Sequence, residues 1–217
     1  MLINYKKKFI FLHNPKTAGT AIEVFFSQSR NPDDFHIGSL RDNNKITPLK
    51  FSKKMINYSL HNPSYSAIKN SIKNTCFREF IEGSNKKYFG KKFTIQPQNA
   101  YAGEIKSYFK DEWNDFFKFC VVRNPWDRIK SFYKWFDYKN LSFEEFVEKL
   151  SLDINFKEKF KGLDASNYYK IDGKICVNFI IKFEDLYNDF NKVLTKIGLS
   201  NIKNIQKYKE KKDDVIH

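Results

Sequence analysis

Apolar residues fall in short unbroken runs along this chain, and polar turns follow them closely. Residues 8–13 (KFIFLH), 118–123 (KFCVVR) and 177–183 (VNFIIKF) are runs of strand length. They lack strict alternation, as strands covered on both faces do. Between them, apolar positions recur at helical spacing. Residues 18–29 place Ile22, Phe25 and Phe26 on one face, and 100–113 and 126–137 are amphipathic. The 142–150 helix starts with the capping box Ser142-x-x-Glu145, and 185–197 closes on Gly198. Pro125 stands at the first turn of the 126–137 helix, where its missing N–H costs nothing. A short strand at 92–96 and short helices at 64–72 and 76–82 complete the pattern. Strands alternating with helices predict an α/β fold with a mainly parallel sheet between helical layers. No internal repeat or boundary interrupts it, so residues 1–217 are expected to form one domain. Its segment 30–90, polar and rich in Asn, Ser and Lys, is read as an insertion bearing substrate-binding loops.

Composition supports a packed core: 217 residues with 23 Phe and 12 Tyr supply enough large apolar surface to fold alone. A formal net charge of +14 points to an anionic partner. Most of that charge is Lys accompanied by abundant Asn, which codon bias alone can produce. The arginines are scarcer (Arg30, Arg41, Arg78, Arg123 and Arg128), and a planar fork suits phosphate better than an ammonium does. Cys76, Cys120 and Cys176 lack the spacing of a disulfide framework or a zinc site. The apolar part of MLINYKKKFIFLHNP is too short for a signal peptide or a membrane span. A soluble, cytoplasmic protein is therefore expected.

Two strand ends carry candidate chemistry. After the first run comes His13-Asn14-Pro15-Lys16-Thr17-Ala18-Gly19-Thr20. Ligands of open α/β sheets sit beyond the carboxyl ends of strands. There, successive backbone N–H groups and a helix N-terminus form an anion cradle, with Gly19 allowing close approach. Lys16 adds a mobile charge, and Thr17 and Thr20 add hydroxyls. After the second run comes Arg123-Asn124-Pro125-Trp126-Asp127-Arg128, with Ser131 eight residues beyond Arg123. Arg123 and Ser131 can grip one phosphate by fork and hydroxyl. The order Lys16 before Gly19 departs from GxxxxGK[ST], which argues against nucleoside-triphosphate hydrolysis.

HNPKTAGT followed by VVRNPWDRIKSFY resembles the sulfotransferase family that uses 3′-phosphoadenosine 5′-phosphosulfate (PAPS), in its carbohydrate-modifying branch. The resemblance implies a P-loop NTPase-like three-layer sandwich. It implies that Lys16, Thr17, Ala18, Gly19 and Thr20 hold the phosphosulfate, that Arg123 and Ser131 hold the 3′-phosphate, and that Lys16 stabilises the charge on the leaving oxygen. It implies a carbohydrate acceptor, for which the 30–90 segment is the expected binding insertion, and it requires no metal.

In that family a His precedes the helix leading into the VVRNPWDR strand; here Asn99 stands in its place, and Asn cannot take a proton. His61 is the first substitute as catalytic base and Glu104 the second, with His13 and His36 behind them. Two alternatives stay open. A P-loop kinase predicts Gly-Lys-Ser/Thr order and an acidic magnesium ligand. A basic nucleic-acid-binding protein predicts interleaved basic and aromatic residues in a known module.

Overall fold

The computed structural model describes residues 1–27, 34–36, 91–93, 99–136, 141–160 and 162–199, with single positions between 56 and 90. Its strands are β1 (Leu2–Asn4), β2 (Phe9–Leu12), β3 (Phe35–His36), β4 (Phe117–Val122), β5 (Lys170–Ile171), β6 (Lys174–Ile175) and β7 (Phe179–Lys182). Its helices are α1 (Gly19–Ser27), α2 (Ala102–Tyr108), α3 (Lys110–Asp115), α4 (Pro125–Phe136), α5 (Phe143–Leu152), α6 (Ile154–Glu158) and α7 (Leu186–Lys196).

The main sheet has the order β3-β1-β2-β4-β7. The strands β2, β4 and β7 run parallel, with Leu12 opposite Cys120 and Cys120 opposite Ile180. The antiparallel β1 and β3 extend one edge. Side chains alternate across the pleat into two cores. On one face Ile3, Ile10, Leu12 and Cys120 meet Ile105, Phe109 and Trp113 from the α2–α3 region. On the other, Phe9, Phe11, Phe119, Val121 and Ile181 meet Ile22, Phe25 and Phe26 of α1 and Phe190, Val193 and Leu194 of α7. Both faces are covered, which is why β2 and β4 read as unbroken apolar runs. A third, smaller core joins Phe146 and Leu150 of α5 to Phe156 and Phe160 around α6.

The structure corrects three sequence expectations. The 100–113 helix is two helices, broken at Phe109 (φ −125°, ψ 56°), and the break seats the Phe109 ring 5.0 Å from Phe35 of β3. Lys92 and Phe93, the described residues of the expected 92–96 strand, lie in a turn and a bend. Strands β1, β3, β5 and β6 were not anticipated. The β5–β6 hairpin turns on Asp172 and Gly173, both at positive φ (50° and 75°), the Asp-Gly turn that suits a two-residue hairpin. The expected helix at 76–82 and the Lys-rich end beyond 199 lie outside the described residues. No helix among the described residues is long and apolar enough to cross a membrane.

Candidate active site

Because β2 and β4 are parallel neighbours, residues 13–20 and 123–128 leave the sheet at the same end, side by side. The first loop is strained: Lys16 and Ala18 have φ of 64° and 65° without being glycine. Each such residue costs about 1–2 kcal/mol, so surrounding contacts must impose the shape. Thr17, fully buried, donates its hydroxyl to Asn14 O at 2.8 Å. Asn14 donates Nδ2 to Val121 O of β4 at 3.0 Å. The Arg123 Nη1 donates to Lys16 O at 3.4 Å.

Arg128 completes the frame. Its side chain, 3% exposed, donates Nε to Pro15 O at 3.0 Å and Nη2 to Asn14 Oδ1 at 2.8 Å. It also donates Nη1 to Leu163 O at 2.5 Å and Nη2 to Gly162 O. The carbonyls of residues 14, 15 and 16 are therefore all drawn toward donors on the protein side. α1 begins at Gly19, and the first amides of a helix have no intrahelical acceptor. This end of the loop is thus suited to an anion. Gly162 (φ 96°) has no room for a side chain, since a Cβ there would lie 2.8 Å from Tyr168 Oη.

The sequence assigned Gly19 to close approach of a ligand; its neighbour in the structure is His13. A Cβ on Gly19 would lie 2.1 Å from His13 Cδ2 and 2.2 Å from Nε2, so only glycine lets the imidazole pack there. His13 Nδ1 lies 2.9 Å from Glu23 Oε1, and the ring stacks on Phe11. Glu23, buried in α1, also receives the Met1 ammonium at 2.9 Å and faces His36 Nε2 at 3.3 Å. Burial alone would raise its pKa, but the Met1 ammonium, His13 and His36 together hold its carboxyl well below the usual range.

The second loop opens α4. Asn124 caps it, accepting from Trp126 N at 3.0 Å, and Glu184 accepts from Asn124 N at 2.6 Å. The Arg123 guanidinium lies 4.2 Å from the Phe183 ring centre. Its Nε is buried and makes no hydrogen bond among the described residues. Ser131 is half-buried in the second turn of α4. Lys16 Nζ lies over the Trp135 ring, 5.0 Å from its centre, an attraction of about 0.5–1 kcal/mol at exposed sites.

The structure thus brings Lys16, Thr17, Ala18, Gly19, Thr20 and Arg123 together at one end of the sheet, with Ser131 on the adjoining helix. Of the base candidates, His13 belongs to this loop frame and packs against Gly19, and His36 faces Glu23. His61 is exposed in a helical stretch, and Asn99 is half-buried just before α2. Glu104 Oε2 accepts from Tyr101 N at 2.8 Å, so its carboxylate caps α2. Sequence reasoning passed over Arg128, Asn14, Glu23 and Trp135. The scarcity of arginine was a signal for Arg128; the others are visible only once β1, β2 and α4 are placed.

A family model described as the sulfotransferase family matches residues 1–217, the whole chain. An uncharacterized protein of Archaeoglobus fulgidus is 38% identical over 96 residues, which are 42% of this chain and 74% of that protein. No solved structure matches the chain significantly.

Proposed function

Because the chain belongs to the sulfotransferase family, we propose that it moves a sulfuryl group from PAPS to a hydroxyl of a carbohydrate acceptor, a glycan or polysaccharide. The observation that carries this reading is the guanidinium of Arg123. It lies against the anion loop with a buried Nε that makes no hydrogen bond among the described residues. Leaving a buried donor unmet costs about 1–3 kcal/mol, and more when it is charged. A phosphate seated between Arg123 and Ser131 removes that cost with a charge-assisted bond.

In this reading the backbone of residues 16–20 and the Thr20 hydroxyl hold the 5′-phosphosulfate, while the Thr17 hydroxyl, expected from the sequence to face the ligand, is buried and shapes the loop by donating to Asn14 O. Arg123 and Ser131 hold the 3′-phosphate in a P-loop-like arrangement. When bound, the donor supplies the activated sulfuryl group. Lys16 brings its ammonium to the oxygen that leaves, where negative charge grows, an electrostatic contribution suited to a preorganised site. Arg128 keeps the loop in its strained shape without touching the donor. His61, in the acceptor-binding segment, takes the proton of the acceptor hydroxyl. Glu104 is less suited because its carboxylate already caps α2.

The test is transfer of radiolabelled sulfate from PAPS to a panel of oligosaccharides. Lys16→Ala is expected to lower kcat by about 10²–10³-fold, with an unchanged melting temperature. Turnover equal to wild type would remove Lys16 from the chemistry. His61→Ala is expected to lower kcat with little change in donor binding; unchanged kcat would move the base elsewhere.

A further inference from the structure

Trp135 is one of two exposed tryptophans of α4, beside Trp126 at 65%. Its indole is 62% exposed, yet it is firmly held. It packs edge-on against Phe136 (4.7 Å, 71°), which is itself edge-on to Phe160 (4.9 Å, 84°) and stacked on Phe132. An indole held in this way offers a large flat face at the surface. Its position is also specific. It lies four residues after Ser131, so both project from the same face of α4, one turn apart. The exposed indole carries the Lys16 ammonium over its ring, 5.0 Å from the centre.

The role proposed for Lys16 gives the same ammonium a second partner, the anionic oxygens of the donor. The backbone of Lys16 is pinned, with its carbonyl bonded by Arg123 and its φ at 64°, so only the side chain can swing. An ammonium on phosphate or sulfate oxygens outweighs an exposed cation–π contact. An anion entering the loop therefore draws Lys16 off the indole. The uncovered ring is then a flat apolar surface within a lysine's reach of the transferring group. A pyranose ring, with its C–H face on the indole and its hydroxyls at the rim, matches that surface.

We infer that Trp135 is a shared seat, occupied by Lys16 before the donor binds and by a sugar ring of the acceptor afterwards, so that donor must load before acceptor. The inference rests on the sulfuryl-transfer reading above and assigns the acceptor side of that site.

The experiment is acrylamide quenching of tryptophan emission in the full chain. Wild type is compared with Trp135→Phe to isolate Trp135 from Trp113 and Trp126, and adenosine 3′,5′-bisphosphate binding is followed by calorimetry in parallel. Saturating bisphosphate is expected to raise the Trp135 quenching constant reproducibly but less than about twofold, since an indole already 62% exposed has only the rest of its surface to gain. Lys16→Ala, which cannot reach the ring, is expected to show the raised value without any nucleotide. A mixture of neutral and uronic-acid hexasaccharides should cover Trp135 again in the bisphosphate-loaded protein and leave the free protein unchanged. Trp135→Ala should keep the bisphosphate Kd within about threefold of wild type, since the nucleotide does not use the ring.

Bisphosphate binding with no change at Trp135 would overturn the exchange. A tenfold weaker bisphosphate in Trp135→Ala would mean that adenine, not sugar, stacks there. Saccharide that fails to cover the loaded ring would overturn the acceptor seat. Absence of bisphosphate binding in the wild type would instead bring down the sulfuryl-transfer reading, and calorimetry separates the two failures.

Discussion

Arg128 braces the loop of residues 13–20 from one buried side chain. It satisfies Pro15 O, Asn14 Oδ1, Gly162 O and Leu163 O from one buried fork. Burial pushes its pKa down, while Tyr168, Asp164 and Tyr101 push it back up. Arg128→Met fills similar volume but strands four acceptors, so unfolding stability should fall by about 3–5 kcal/mol. The urea midpoint checks this. Lys in its place should recover only a minority of the loss, because an ammonium cannot reproduce the planar fork. A loss under about 1 kcal/mol for Arg128→Met would mean that the strained backbone at Lys16 and Ala18 is held by other contacts. The same motif gives Arg123 a different task. Five residues earlier on the chain, it leaves the strand tip with one nitrogen on Lys16 O and another unmet by any described residue. Spacing alone could not divide these labours, since both arginines sit in one polar segment; burial does.

At the scale of elements, Glu23 ties α1 to three strands. It meets the Met1 ammonium ahead of β1, His13 after β2 and His36 in β3. Its carboxyl is held well below its ordinary pKa. A depressed carboxylate contributes stability that is fully present above the unfolded pKa, about 4.3 for Glu. That contribution is lost as pH falls from there through the folded value. Acid should therefore loosen the α1–β1–β3 corner below about pH 5, and Glu23→Gln should flatten the dependence of stability on pH in that window. Equal slopes for wild type and variant in acid urea titrations would contradict the assignment. Legibility in the sequence follows the same elements. The helix α5 was plain because Ser142 and Glu145 form a local capping box, which the structure retains. The strands β2, β4 and β7 were plain because two apolar faces make continuous runs. By contrast, β1 and β3 hold three and two residues and exist only through pairing with β2 and with each other, so no periodicity announces them. The Asp172-Gly173 turn was available as a local signal and went unused. The break at Phe109 is a tertiary choice that helical spacing cannot express.

Over the whole molecule, parallel β2 and β4 set two loops at one end of the sheet, two cores cover the sheet behind them, and the chain carries a formal net charge of +14. The fold class and the pairing of the two loops were readable because parallel strands deliver their carboxyl ends to one side. The inner frame of Asn14, Arg128 and Gly162 was not, because it joins residues more than thirty positions apart. A rigid frame with a mobile Lys16 predicts that recognition of the donor resides in the 3′-phosphate and not in net charge. The direct test is calorimetric titration with adenosine 3′,5′-bisphosphate, 5′-AMP and ATP with Mg²⁺, on wild type and Arg123→Ala at matched ionic strength. Wild type should bind the bisphosphate at least about tenfold tighter than 5′-AMP, the worth of one charge-assisted phosphate contact. Arg123→Ala should erase most of that difference. Equal binding of 5′-AMP and the bisphosphate, or tight ATP binding with no bisphosphate binding, would contradict the assignment of both loops.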